Sequence, residues 1–211
     1  MSLEELTQAV ADGNDAKART LTLEAVTDRI PLNRIIDEGL SGGMSIIARL
    51  FKEEQCYLPE VIMAARAMQA GLAVLEPELR RTPVKDKGTV VAGTVYEDMH
   101  DIGKNLVVML LKGMGFNVID LGMNVSPQRF VQSVRETKAD VVAMSCLLTT
   151  TMMSMKKTID ALKAAEIRDQ VKVIVGGQPI TQSFADQIGA DAYARSAGEV
   201  ADVVKRLLDI Q

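Results

Sequence analysis

Apolar residues recur at helical spacing through the first third of the chain, and the rhythm then changes. "LEELTQAV", "AKARTLTLEAVTDRI", "LNRIIDEGL" running on into "GGMSIIARLF", and "LPEVIMAARAMQAGLAVLE" each return an apolar position every three or four residues. That spacing predicts four helices over residues 1–76. "ADGND" at 11–15 supplies a stop in Gly13 and a cap in Asn14, and Pro59 stands near the start of the fourth segment, where a missing N–H costs nothing. Four short-linked helices suggest a small bundle. "PELRRTPVKDKG" (77–88), with two prolines and mixed charge, breaks the pattern. It reads as the boundary between a helical cap domain, 1–80, and a second domain, 88–211.

From Gly88 onward, β-branched runs alternate with helical patterns. "TVVAGTV" (89–95), "NVIDLG" (117–122), "DVVAMSC" (140–146), "VKVIVGG" (171–177) and "DAYAR" (191–195) read as strands. "IGKNLVVMLLKGMG", "SPQRFVQSVRETK", "TMMSMKKTIDALKAAE", "ITQSFADQIG" and "GEVADVVKRLLDI" read as helices. Nearly all-apolar strands are what a sheet covered by helices on both faces requires. The expected fold is therefore a helical bundle followed by a doubly wound five-strand parallel sheet with right-handed crossovers. If the strand order is the flavodoxin-like 2-1-3-4-5, the switch point lies between strands 1 and 3, and ligands sit outside their carboxyl ends. The loops there are "YEDMHDIG" and "SCLLTTTM". The first holds His100, the only histidine in 211 residues.

Composition narrows the partners. A net charge of −4 and a pI near 5.2 argue against nucleic acid. "MSLEELTQAV" lacks the basic and apolar regions of a signal peptide, and no run approaches the roughly 20 apolar residues of a membrane span. Cys56 and Cys146 are too few for a disulfide framework, so the expected setting is the cytoplasm. Twelve methionines against 3% aromatics point either to flexible core filler or to a soft lining for a large ligand.

Several site chemistries fail at this switch point. A dinucleotide fingerprint needs a glycine-rich turn after strand 1, and acids stand there instead; "GLSGGM" (39–44) follows a helix, and Walker A is absent. A phospho-receiver needs an acceptor aspartate ending strand 3 and a lysine ending strand 5, where this chain has Ser145 and Arg195. A zinc or di-metal hydrolase needs more ligands than one histidine with two carboxylates, and a Ser145–His100–Asp98 hydrolase would lack the nucleophile elbow. What remains is a lone imidazole binding a metal whose other ligands come from a macrocycle. Asp98, two residues before His100, points the same way in an extended loop. A carboxylate on one ring nitrogen fixes the tautomer and strengthens the other nitrogen as a ligand, and Ser145 is placed to donate to Asp98 in turn.

With these residues, the second domain resembles the cobalamin-binding domain of methionine synthase and the small corrinoid proteins of methyltransferase systems. The shared motif is D-x-H-x-x-G, S-x-L and G-G. Here these are Asp98-Met99-His100-Asp101-Ile102-Gly103, Ser145-Cys146-Leu147 and Gly176-Gly177, each at the end of its expected strand. The helical half fits the cap that precedes this domain in the family, so the resemblance spans essentially the whole chain.

The resemblance implies that cobalamin is the cofactor, carried as methylcobalamin when loaded, with His100 as lower axial ligand of cobalt and Asp98 and Ser145 completing a relay. Ser145, Leu147 and Thr149 would line a groove for the displaced nucleotide tail. Gly103, Gly176 and Gly177 would leave it room, and Ala197 would border it. Glu97, Met99, Asp101 and Ile102 would meet the lower corrin face. Tyr57, where methionine synthase has Phe, would shield the upper face with Leu58 or Met63. Function would follow as a methyl carrier, not catalytic alone. Its partners would be a substrate-specific methyltransferase, a corrinoid:acceptor methyltransferase delivering to tetrahydrofolate or a thiol coenzyme, and a reductive activase, with no nucleic acid and no membrane. The cap would have to move, with 77–88 as hinge. A B12-dependent sensor is the alternative, against which stand the acidic pI and the lack of a DNA-binding segment.

Overall fold

Helix α1 (Leu3–Ala11) ends at a turn where Gly13 takes φ +67, and Asn14 then caps α2 (Asp15–Thr27) by accepting from the Lys17 N–H. The third segment is one continuous helix in three parts: a single turn, α3 (Leu32–Arg34), a wider π-helical stretch, Ile35–Leu40, and α4 (Ser41–Lys52). The glycines of "GLSGGM" serve packing. A Cβ at Gly39 would run into Leu6, and one at Gly43 into Val10 and the Thr7 carbonyl, so α1 can lie close along this helix. Helix α5 (Leu58–Arg81) packs on α2 and α4 and buries Val61, Ala64, Ala67 and Leu75.

The computed structural model describes residues 3–81 and 87–210. Two sequence expectations change in α5. The helix runs through Pro77 to Arg81, so the boundary does not begin at residue 77. Pro77 lies inside the helix near its C-terminal end, where it removes one i→i−4 hydrogen bond and leaves few further turns to disturb. Residues 82–86 of the expected hinge lie outside the described residues. Leu58–Glu78 also proves long and apolar enough to cross a membrane by length and composition, against the expectation that no run approaches this. Its apolarity is explained by the face buried in the bundle.

The chain divides between Asp86 and Lys87 into two compact units, with Lys112–Gly115 grouping with the first. The second alternates strand and helix: β1 (Thr89–Thr94), α6 (Ile102–Gly113), β2 (Asn117–Asp120), α7 (Pro127–Thr137), β3 (Val141–Ser145), α8 (Met153–Ala164), β4 (Lys172–Gly176), α9 (Gln182–Ile188), β5 (Ala192–Ala194) and α10 (Ala197–Leu207). Ser126 and Thr181 cap α7 and α9 through their side chains. All strand pairs are parallel in the order β2-β1-β3-β4-β5, which puts the switch point between β1 and β3.

Because side chains alternate, paired residues on neighbouring strands share a face. One face carries the row Val91–Val142–Val173 and, beyond it, Gly93–Met144–Val175–Tyr193. Phe130 and Val134 of α7, Met155, Ile159 and Leu162 of α8, and Ile188 of α9 pack with these strands into one buried cluster. The other face carries Ala92–Ala143–Ile174–Ala192 and Thr94–Ser145–Gly176–Ala194. It is built largely from the smallest side chains.

Candidate functional site

Between the small-residue face and helices α6 and α10 lies a cavity of about 550 Å³. Ala92, Ala143 and Ile174 line it from mid-strand, with Val107 and Val200 from the helices. Ser145, Leu147, Gly176, Gly177, Arg195 and Ala197 line it where the strands end, and His100, Asp101, Ile102 and Gly103 where α6 begins. The switch-point prediction therefore places His100 correctly, and its lining comes wholly from the second unit.

The β1–α6 loop is braced at both ends. Thr94, fully buried, donates its hydroxyl to the His100 carbonyl at 2.8 Å. The Asp98 carbonyl accepts from Asn124 N–H, and Glu97, held at φ +68, donates its N–H to the Asn124 side chain. A non-glycine residue at positive φ costs on the order of 1–2 kcal/mol, and the Asn124 bonds hold the turn against that strain.

Asp98 is completely buried, and its carboxylate accepts five hydrogen bonds. Oδ1 takes the His100 N–H at 3.0 Å and the His100 ring Nδ1 at 2.8 Å. Oδ2 takes the N–H groups of Leu147 and Leu148 at 2.8 and 3.2 Å and the Thr151 hydroxyl at 3.0 Å. Burial alone pushes this carboxyl up, but the donors from Leu147, His100 and Leu148 outweigh it and hold the group well below the usual carboxylate range. An ionised carboxylate only accepts, so Nδ1 carries the ring proton. Nε2 has no hydrogen-bond partner among the described residues, on a ring about half exposed at the cavity mouth.

The relay differs from expectation at its third member. Ser145 ends β3 on the cavity face and makes no bond to Asp98; the hydroxyl that reaches Asp98 belongs to Thr151, in the short 3-10 turn after β3. Thr151 also bonds Cys146 Sγ and the Leu148 carbonyl. The reason is directional: alternation sends Ser145 into the cavity, while the turn folds Thr151 back under the loop. Thr149, in the same turn, is exposed and does not line the cavity.

Of the other residues singled out, Met99 and Ile102 are exposed at the rim, at 61% and 74%. Asp101 lines the mouth and accepts from Asn105. Glu97 is exposed in the turn and outside the lining. Tyr57, Leu58 and Met63 stand exposed at the start of α5, in the first unit. The methionines split between both readings. Met44, Met68, Met114, Met144 and Met155 are core filler, whereas Met99, Met123 and Met153 are exposed beyond the strand ends.

The three motif glycines have different causes. Gly177 has φ +127, and a Cβ there would overlap the Cys146 carbonyl; one at Gly176 would stand 2.9 Å from the Ala194 carbonyl. A Cβ at Gly103 would meet nothing within 4 Å. The fold itself gives no reason for that glycine.

Sequence reasoning missed Lys104. It is 3% exposed, lines the cavity, and holds its ammonium on both Asp120 oxygens, at 2.6 and 2.7 Å, and on Asn105 Oδ1 at 2.6 Å. Its position on the stripe of Val108 and Leu111 was the available signal, because a lysine on a buried stripe requires a partner.

Known proteins share these features. Two family models, each described as a B12 binding domain, match residues 88–204 and 2–76. A corrinoid protein of Desulfitobacterium hafniense (strain Y51) is 40% identical over 209 residues, covering 98% of this chain and 97% of that protein. The trimethylamine corrinoid protein of Methanosarcina barkeri is 41% identical over 205 residues, covering 96% and 94%. In the solved methanol:cobalamin methyltransferase complex of Methanosarcina barkeri, one chain superposes with a TM-score of 0.86 at 30% identity, covering 98% of this chain and 79% of that one.

Proposed function

The chain belongs to the B12-binding corrinoid proteins, and on that premise we propose that it carries a methyl group on its cobalamin between two methyltransferases, one holding the methyl donor and one serving the acceptor, tetrahydrofolate or a thiol coenzyme. The relatives named for trimethylamine and methanol systems support the methyltransferase partner, and a reductive activase is the third partner of this reading. When bound, the cobalt supplies a nucleophile that accepts the methyl group and a leaving group that releases it.

One observation carries the reading: the Asp98–His100 pair, 2.8 Å apart, presents an Nε2 that no described residue engages, at the mouth of an apolar-floored cavity. His100 offers Nε2 as the protein's metal ligand. Asp98 holds the proton on Nδ1 and so keeps Nε2 in its ligating form. It also stands ready to neutralise the ring whenever Nε2 binds a proton instead. Thr151, with the Leu147 and Leu148 N–H groups, fixes the carboxylate. The exposed apolar rim of Met99, Ile102, Leu147 and Leu148 suits the face of a large macrocycle, and the cavity beneath suits its nucleotide tail. Gly103 leaves that tail room.

Reconstitution with hydroxocobalamin followed by desalting tests this. The wild-type protein is expected to retain the corrinoid and shift its visible spectrum, and His100→Ala to give a different spectrum. A colourless wild-type protein overturns the cofactor assignment; an unchanged spectrum in His100→Ala overturns the ligand assignment.

A further inference from the structure

The cavity changes character with depth. Its mouth has polar groups: Ser145, Gln178, Arg195 and Ser196. The floor, one register row further into the sheet, is Ala92–Ala143–Ile174, closed from the helices by Val107 and Val200. None of these five side chains can donate or accept a hydrogen bond, and the backbone polar groups of the strands are engaged in the sheet ladder. Lys104 also lines the cavity, but Asp120 and Asn105 already hold its ammonium. Arg195 follows β5 at the mouth and is exposed.

We propose that this floor selects the base at the end of the corrinoid tail, taking an apolar aromatic base of the phenolyl or benzimidazolyl class over a purine. The proposal rests on the reading that the tail enters this cavity. A purine brings an exocyclic amine and several ring nitrogens. Water satisfies these in solution, and alkyl groups leave them unpaired once buried. A phenolyl ring or a dimethylbenzimidazole places carbon against the same surface. Discrimination by unpaired polar groups is steeper than discrimination by an extra methyl group, so the preference is expected to be at least about tenfold.

Free corrinoids differ in how strongly their own base coordinates cobalt, which alters apparent affinity without involving the protein. Two choices remove this. A phenolyl base cannot coordinate, and a ratio of affinities compared between wild type and a variant cancels every property of the free ligand. The wild-type chain and Val200→Thr, which exchanges a methyl for a hydroxyl at nearly constant shape, are titrated with phenolyl cobamide, adeninyl cobamide and cobinamide, which lacks the nucleotide. Retained corrinoid is read by visible absorbance after ultrafiltration.

The expected wild-type result is phenolyl cobamide tighter than adeninyl by about tenfold or more, with cobinamide weaker than phenolyl cobamide. In Val200→Thr the ratio narrows by about threefold or more, because the hydroxyl offers the purine a partner, while cobinamide affinity stays unchanged. Adeninyl cobamide binding as tightly as phenolyl in the wild type, or a ratio unmoved by Val200→Thr, overturns base selection alone. Cobinamide binding as tightly as phenolyl cobamide overturns the tail reading beneath it.

Discussion

The two faces of the sheet are made from the same strands, yet they are finished in opposite ways. On one, Val91, Val142, Met144, Val173 and Val175 meet Phe130, Met155, Ile159 and Leu162, and the space is filled by protein. Even the exception obeys this rule, because at Gly93 a Cβ would stand 2.9 Å from the Phe130 ring. On the other face, Ala92, Ala143, Ser145, Gly176 and Ala194 leave about 550 Å³ beneath α6 and α10. Each Ala has two side-chain carbons fewer than Val. A domain this size gives up apolar contact of that extent only where something else will occupy the space. The filled face therefore reports stability, and the open face reports function.

The sharpest way to break this contrast is to exchange the roles. Ile159→Ala opens a hole in the filled face and is expected to lose about 2–5 kcal/mol in urea unfolding, while the folded fraction still binds cobalamin. Ala143→Leu fills the open face. Its stability is expected to stay within about 1 kcal/mol of wild type, since the added carbons enter free space, and cobalamin retention is expected to be lost. If Ala143→Leu destabilises as strongly as Ile159→Ala, the open face is packed after all and the comparison fails.

Asp98 is where the two faces are joined. Its Oδ2 is held through Thr151 to Cys146, part of the filled core, and its Oδ1 to His100 at the cavity mouth. Asp98→Asn keeps the shape but replaces the charged acceptor, and the expected loss at neutral pH is about 2–3 kcal/mol. The dependence on acidity has a definite sign. The folded carboxyl lies below its unfolded value of about 3.9, so its contribution is complete above that value and is lost as pH falls through it toward the folded one. Urea unfolding from pH 7 to pH 3 is expected to narrow the gap between the two proteins toward the acid end. A gap that stays constant to pH 3 means that the charge of Asp98 does not support the fold.

Much of this was legible in the sequence because it rests on local chemistry. β-branched runs alternating with helical patterns locate all five strands, and their nearly all-apolar character implies a sheet covered on both faces. Asp98 and His100 could be paired because their spacing of two is itself geometric. What escaped depends on turns and depth. Three consecutive threonines, 149–151, are equivalent on paper, and only the short turn decides that Thr151 reaches Asp98 while Thr149 faces solvent. The alanines at 92 and 143 read as ordinary strand residues until register aligns them into one row. Lys104, in α6, needed Asp120, sixteen residues away at the end of β2, to make its burial intelligible.

The smallest expected effect separates function from fold most cleanly. Gly103 lies in the first turn of α6, at a helical conformation any residue can adopt, with nothing within 4 Å of an added Cβ. In a protein without a ligand to admit, alanine is the better residue there, and Gly103→Ala is expected to raise stability by up to about 1 kcal/mol. The same methyl group enters the cavity, so cobalamin affinity is expected to fall by about tenfold or more. Gly177→Ala is the counterpart, because φ +127 and the Cys146 carbonyl forbid a side chain whatever the ligand. It is expected to lose at least about 1–3 kcal/mol in the cofactor-free protein. Urea unfolding and cobalamin titration of both variants read the two quantities separately. Opposite signs in Gly103→Ala, a gain in stability with a loss of binding, would show that this glycine is kept for the cofactor and not for the fold. A Gly103→Ala protein that is stabilised and binds cobalamin unchanged would instead place the tail elsewhere.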